Sequence, residues 1–213
     1  MEREIDLLAA GLATCGLHFD RQILRRQLEF LDELQRWNQR INLTAIRERA
    51  EAIEKHLIDS LILLRWLGEG TVLDVGSGAG LPAIPLALAE EERIIVSVEA
   101  VAKKVSFQKH IRRTFGMTCF EPICSRVELL KHKGHFSIIT ARAFAAVDRI
   151  IELTEPLLEQ GGRLLLQRGP SEDIAALERG DKLNLAGFRL NSYQEYRLPF
   201  SGSDRQILEI SRG

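Results

Sequence analysis

The chain has 213 residues, enough for one domain or one domain with a modest extension. Hydrophobic residues make up 45% and charged residues 28%, an ordinary balance for a globular chain with a sizeable core. The formal net charge of -1 excludes nucleic-acid binding by bulk charge, so any RNA contact has to come from local basic patches. No apolar run reaches the length of a membrane span, and the charged start Met1-Glu2-Arg3-Glu4 lacks the pattern of a signal peptide. Both points set the expectation of a cytoplasmic protein. Cys15, Cys119 and Cys124 are odd in number and lack CxxC spacing. They read as small, mostly buried thiols, with neither a disulfide framework nor a metal site.

The first third of the chain is helical in pattern. Ile5, Leu8 and Leu12 recur at helical spacing until Gly16 interrupts. Asp20 is a candidate N-cap for a second helix carrying Ile23, Leu24, Leu28, Leu31, Leu34 and Trp37. Asn38 to Thr44 favours turns and caps. A third helix is predicted from Glu51 to Leu67, with Ile53, Leu57, Leu61 and Leu64 on one face. From Gly70 onward short apolar runs alternate with helical segments. Strands are predicted over 71–75, 93–98, 118–123, 136–141 and 163–167, with helices over 83–89, 102–115, 125–130, 147–158 and 171–178. Such alternation implies a mostly parallel sheet covered on both faces. The last two candidates, 188–198 and 206–211, have no helix between them and read as an antiparallel hairpin. The expected organisation is an N-terminal helical extension, 1–67, on an α/β domain, 68–213, forming one unit.

The strand Val72-Leu73-Asp74-Val75 runs into Gly76-Ser77-Gly78-Ala79-Gly80, and a helix follows Pro82. Glycines in such a turn let a ligand approach the backbone. The dinucleotide fingerprint G-x-G-x-x-G needs a third glycine where Leu81 stands, which counts against a nicotinamide oxidoreductase. A pyrophosphate at a helix N-terminus would also meet the carboxylate of Asp74 unfavourably. S-adenosylmethionine has no phosphate and carries a zwitterionic tail, so an acid beside the loop suits it. Glu99, at the end of the second strand, is placed to accept hydrogen bonds from ribose hydroxyls.

Several further segments are specific. They are Trp37-Asn38-Gln39-Arg40-Ile41-Asn42-Leu43-Thr44-Ala45-Ile46, His56-Leu57-Ile58-Asp59-Ser60-Leu61, Ser125-Arg126-Val127-Glu128 and Ala141-Arg142-Ala143-Phe144-Ala145. With the glycine loop they make the chain resemble, over nearly its whole length, the bacterial small-subunit ribosomal RNA guanine-N7 methyltransferases, the RsmG family. The resemblance implies a Rossmann-like class I methyltransferase fold using S-adenosyl-L-methionine and releasing S-adenosyl-L-homocysteine. It implies methylation of N7 of a guanine, guanine-527 in the usual count, in 16S ribosomal RNA, and a monomer whose partner is that RNA in the small subunit or its assembly intermediate. By matching motifs it implies cofactor contacts from Gly76, Leu81, Val127, Glu128 and Arg142, with Glu99 near the ribose. Asp74, Gly78 and Gly80 join that group through the loop itself. The sequence departs from the family at Ala83, where glycine is usual, and at Glu99, where aspartate is frequent. It departs again at Gln167-Arg168-Gly169, where a lysine usually precedes the glycine.

Guanine N7 has a lone pair and no proton to lose, so no general base is expected, and the protein's task is positioning. Arg142 is the candidate for positioning substrate or cofactor, with Phe144 either a stacking partner for a base or part of the core. His56 and Asp59 are expected to cap or pair locally. Arg21, Arg25, Arg26, Arg36, Arg40, Arg47, Arg49, Lys103, Lys104, Lys109, Arg112, Arg113, Lys131 and Lys133 offer an RNA-docking rim or solvated helix faces. The alternatives are a methyltransferase acting on another RNA or a small molecule, and a non-catalytic RNA-binding module with a vestigial loop.

Overall fold

In each strand that follows the helical third, alternate residues face opposite sides, and the chain uses both sides as core. Val72, Ile95, Phe120, Ile138, Leu165 and Ile207 pack into one hydrophobic cluster. Leu73, Val96, Ile139, Leu164, Leu166 and Leu208 pack into a second on the other side. The computed structural model describes residues 1–131, 134–142, 145–169 and 187–213. The strands β1 (Val72–Val75), β2 (Ile95–Glu99), β3 (Phe120–Cys124), β4 (Phe136–Arg142), β5 (Leu158–Arg168), β6 (Phe188–Arg197) and β7 (Asp204–Arg212) form one sheet. Its order is β3-β2-β1-β4-β5-β7-β6. The first five run parallel; β7 inserts between β5 and β6, antiparallel to both.

The helices are α1 (Glu2–Thr14), α2 (Arg21–Asn38), α3 (Arg49–Ala52), α4 (Asp59–Leu61), α5 (Leu64–Leu67), α6 (Ala83–Ala89), α7 (Ala102–Thr114) and α8 (Val147–Thr154). Leu8, Leu12, Leu28, Phe30, Leu31 and Leu34 of α1 and α2 share the first cluster with Phe107 of α7 and that face of the sheet. The N-terminal helices therefore form one of the two layers covering the sheet. On the opposite face Val147, Ile150 and Ile151 of α8 cover the second cluster.

Four expectations need correction. The predicted helix 51–67 is not one α-helix: a π-turn, Ile53–Ile58, separates α3 from α4. There the Asp59 amide donates to the Glu54 carbonyl, a five-residue step. An α-helix would turn residues five apart to different sides. The wide turn lets both meet the C-terminal hairpin: Glu54 accepts the amides of Phe200 and Ser201, and Asp59 accepts the hydroxyl of Tyr196. The predicted helix 125–130 is only a 3-10 turn, Val127–Leu129, and 147–158 stops at Thr154 before a 3-10 turn containing Pro156. Asp20 is the N-cap of α2, as expected, although its side chain makes no capping bond. The cysteines are all free, but only Cys15 is buried; Cys124 is exposed. Smaller differences are boundary shifts: β5 starts five residues before the predicted 163, and the hairpin strands differ by one or two residues. The helix predicted over 171–178 lies outside the described residues, as do Phe144 and Lys133. Among the described residues no helix is long and apolar enough to cross a membrane.

Candidate functional site

On the sheet face covered by the N-terminal helices, the apolar alternation gives way to polar residues at the C-terminal ends of the parallel strands. Ile95 is followed on its face by Ser97 and Glu99, Val72 by Asp74, Ile138 by Thr140 and Arg142, and Leu165 by Gln167. Register aligns them: Asp74 lies beside Ser97 on one side and Thr140 on the other, and Arg142 lies beside Gln167. Ligands of open α/β sheets bind at this edge.

The glycine loop is fixed from below. Gly80 and Leu81 donate to the Ser77 carbonyl, closing the turn. Gly80 has φ +83°, and a Cβ there would sit 2.3 Å from Ile84 Cδ1, so glycine is required on both counts. Gln108 of α7, fully buried, donates to Ser77 Oγ and to the Gly78 carbonyl, both at 2.8 Å, and accepts from Ser97 Oγ at 2.5 Å. Glu99 holds the loop from the next strand: Oε2 accepts the Gly78 amide at 3.0 Å and Oε1 the Val101 amide at 2.9 Å.

Beyond the loop lies a cleft of about 410 Å³ lined by Gly76, Glu99, Lys104, Val127, Glu128 and Leu153, among others. Of the predicted cofactor residues, this cleft gathers Gly76, Glu99, Val127 and Glu128. Gly78, Gly80 and Leu81 shape the turn instead of lining it. Asp74 is fully buried beneath it, and among the described residues neither carboxylate oxygen makes a well-formed hydrogen bond, the Ala83 amide meeting it only loosely. Burial raises Asp74 from the usual carboxylate range to about 7, with the charge of Arg142 and the Ala83 amide pulling the other way. The Thr140 hydroxyl beside it is likewise buried without a partner. Orphaned polar atoms at one spot mark a place that a ligand completes.

Arg142 lines a second cavity, of about 270 Å³, with Ile46, Lys55, His56, Asp59, Gln167, Arg168, Gly169 and Arg205. Asp59 is its hub. Oδ1 accepts from Tyr196 Oη and Gln167 Nε2, each at 2.9 Å, and Oδ2 lies 3.3 Å from Arg205 Nε. His56 is buried and shares a 2.9 Å hydrogen bond with Thr44 Oγ1, while the Asn38 side chain closes the 38–44 loop onto the amides of Leu43 and Thr44. Burial, then the charge of Arg142, lowers His56 to about 4, so it is neutral at physiological pH. Local pairing is thus what His56 does, but Asp59 does more: it ties α4 to β4, β5, β6 and β7. Sequence reasoning passed over Gln108, Tyr196 and Arg205. The break in strand alternation marks Gln167 and its neighbours; nothing local marks Gln108 or Arg205. Gln167 points into the Asp59 network, and Arg168 donates to the Ala145 carbonyl while lining the same cavity.

The basic clusters divide in two. Arg21 pairs with Glu2 and Asp6, Arg25 with Glu2, Arg26 with Glu91, Arg36 with Glu33, and Arg49 with Glu4 and Asp32. Arg40, Arg47, Lys103, Lys104, Lys109 and Arg113 make no ion pair among the described residues.

Similarity to known proteins agrees with this geometry. A family model described as rRNA small subunit methyltransferase G matches residues 23–207. The chain belongs to that family. Among its relatives, the ribosomal RNA small subunit methyltransferase G of Syntrophotalea carbinolica is 39% identical over 205 residues, covering 94% of each chain. That of Geobacter metallireducens is 37% identical, covering 97% of this chain and 96% of its own. Solved structures share the fold at low identity. A SAM-dependent methyltransferase from Aquifex aeolicus is 17% identical, with TM-score 0.56 over 71% of this chain and 89% of that one. The cyclase SpnF is 15% identical, with TM-score 0.57 over 89% and 95%. A cyclase on the same class I fold shows that the fold alone does not fix the reaction; membership of the methyltransferase G family does that.

Proposed function

We propose that this chain transfers a methyl group from S-adenosyl-L-methionine to N7 of a guanine, guanine-527 in the usual count, in 16S ribosomal RNA. It does so in the cytoplasm as a monomer, with residues 1–67 and 68–213 acting as one folded unit. The observation that carries the reading is the pairing of two clefts at one sheet edge: a loop-and-acid cleft around Gly76 and Glu99, and an arginine-lined cavity beside it.

The residues present fit the cofactor. Glu99 spends one lone pair of each carboxylate oxygen on a backbone amide, which fixes the carboxylate and leaves acceptor capacity for ribose hydroxyls. Val127 and Leu153 give the cleft an apolar side for the adenine, with Glu128 at its rim. The uncompensated Asp74 suits a neighbouring ammonium. When bound, the cofactor would supply an activated methyl group, which the N7 lone pair would take as the C–S bonding pair stays with sulfur. The protein needs no general base, because N7 carries no proton. It has to hold N7 in line and leave its lone pair unoccupied. Arg142, between Asp74 and Asp59, positions the substrate side.

The test is methylation of small-subunit particles, naked 16S rRNA and free guanosine, with the modified atom located by mass spectrometry of nuclease digests. Methyl transfer to N7 of one guanine in particles or rRNA is the expected result. Methylation of another RNA or of a small molecule alone would redirect the substrate, and no transfer to anything would leave a binding module.

A further inference from the structure

The second cavity holds more positive charge than positioning by Arg142 requires. Among the described residues that line it, Lys55, Arg142, Arg168 and Arg205 carry positive charge and Asp59 is the one acid. Lys55 is balanced by Glu51 at 2.7 Å, and Arg168 donates to the Ala145 carbonyl. Arg142 and Arg205 both turn to the same atom: Asp59 Oδ2 lies 3.7 Å from Arg142 Nη1 and 3.3 Å from Arg205 Nε. Each guanidinium also donates to a carbonyl at 3.0 Å, Arg142 to Lys55 and Arg205 to Asp204. Their side chains are 25% and 22% exposed, and that of Asp59 is 4% exposed.

Two guanidiniums sharing one carboxylate, mostly out of water, leave a positive charge in need of a partner. The other groups around them supply little. Tyr196 and Gln167 donate to Asp59, Gln167 also to the Tyr196 hydroxyl, and neither brings a charge. Asp74 feels Arg142 but is held partly protonated by burial, and His56 is neutral. Among the described residues no second anion faces Arg142 and Arg205, so the partner that fits them is an anion, which a guanidinium keeps enough N–H groups to grip bidentately.

We propose that Arg142 and Arg205, spread on Asp59, clamp a backbone phosphate of the RNA next to the target nucleotide, with Arg205 a substrate-binding residue. The inference rests on the RNA methyltransferase reading given above. Reaction chemistry favours phosphate over base. N7 methylation moves the positive charge from the sulfonium to the guanine, so guanidiniums against the ring oppose the transition state. An N–H donated to N7 would also occupy the lone pair that has to attack. A phosphate one linkage away takes the positive charge and orients the nucleotide without either penalty.

The test uses the full chain with Arg205→Ala and Arg205→Lys. In RNA binding against salt, Arg205→Ala should lower the slope of log affinity on log salt by about 1, and Arg205→Lys should keep the slope while binding less tightly. Affinity for S-adenosylhomocysteine should stay at the wild-type value in both. Single-turnover methylation is then measured on small-subunit particles containing 16S rRNA with one neutral methylphosphonate at each linkage flanking the target. One linkage should slow the wild type and have no further effect on Arg205→Ala. An unchanged salt slope, or losses that multiply at every flanking linkage, overturns the clamp. So does a variant that has instead lost sensitivity to 2-aminopurine at the target, a base that keeps N7 and lacks O6, because Arg205 then reads the base. Loss of S-adenosylhomocysteine binding in both variants also overturns it, by making Arg205 a support of the cofactor cleft. If the wild type methylates no rRNA, the methyltransferase reading falls, and the salt slopes still decide the clamp.

Discussion

The side-chain amide of Gln108 donates to the hydroxyl of Ser77 at 2.8 Å, joining the buried face of α7 to the glycine loop. The same amide reaches the Gly78 carbonyl, and its oxygen takes the Ser97 hydroxyl, so three polar groups, two of the loop and one of β2, meet on one side chain. Gln108→Met keeps the length but leaves those groups unsatisfied in a dry place. The variant should lose about 2–4 kcal/mol of stability, with a fall in Tm of several degrees. Its affinity for S-adenosylhomocysteine should fall more than tenfold, because the loop is no longer held. Calorimetry and titration of the purified variant check both. Wild-type affinity in a destabilised variant would show that the loop keeps its shape without Gln108.

Arg142 is the shared neighbour of Asp59, Asp74 and His56. Arg142→Ala should lose most methyl transfer, at least a hundredfold in single-turnover rate on rRNA, while remaining folded. Affinity for S-adenosylhomocysteine should change only severalfold, because Arg142 does not line the cleft around Gly76 and Glu99. Wild-type-like activity of the purified variant removes Arg142 from the mechanism. A large loss of cofactor affinity with intact turnover at saturation moves it to the cofactor side.

Two buried groups give stability opposite dependences on pH. Asp74 titrates at about 7 in the folded protein, against 3.8 ordinarily. Between those values the folded state holds a proton that the unfolded chain has released, so this contribution falls as pH rises. His56 titrates at about 4 when folded, against 6.5 ordinarily. Between those values the unfolded chain binds a proton that the folded state excludes, so this contribution falls as pH drops. Over the shared window, about pH 4 to 6.5, the two slopes oppose each other. Asp74→Asn should expose the His56 slope and make the protein more sensitive to acid there. His56→Gln should expose the Asp74 slope and make it more stable toward acid. Denaturant unfolding across this range measures both, and identical profiles for wild type and variants would refute the assignment.

Local pattern carried the layers and the loop. Apolar runs of period two between helical segments are visible without knowing which strands pair, and a glycine cluster after such a run marks the ligand edge. The π-turn was hidden because 53–61 is buried nearly all round: Glu54, His56 and Asp59 are as covered as Leu57 and Leu61. Periodicity cannot separate a π-turn from an α-helix when every face is inside. The Asp59 hub was hidden by distance. Its partners Gln167, Tyr196 and Arg205 lie 108, 137 and 146 positions away, and only the insertion of β7 between β5 and β6 brings Arg205 to it. Glu99 was legible as a strand-end acid, but not its grip on the Gly78 and Val101 amides.

The structure also turns a diffuse basic rim into a specific one. A basic side chain already held by carboxylates has little to offer a phosphate, whereas an unpaired one displaces counterions. On α7, Lys103, Lys109 and Arg113 are exposed, and Lys104 lines the cleft around Gly76 and Glu99. At 1.5 Å per residue the first three span about 15 Å of helix, enough to follow several phosphates. Changing Lys103, Lys109 or Arg113 to alanine should weaken RNA binding at every salt concentration. Each should lower the salt slope by about 1. Arg21→Ala should change neither, because Glu2 and Asp6 already hold that guanidinium. Its loss should leave stability nearly unchanged, as for any exposed ion pair. Filter binding across a salt series compares the four variants directly. A loss of slope in Arg21→Ala equal to that in the α7 variants would mean that the ion pairs of α1 and α2 open on RNA, and the docking face would then extend over the N-terminal helices.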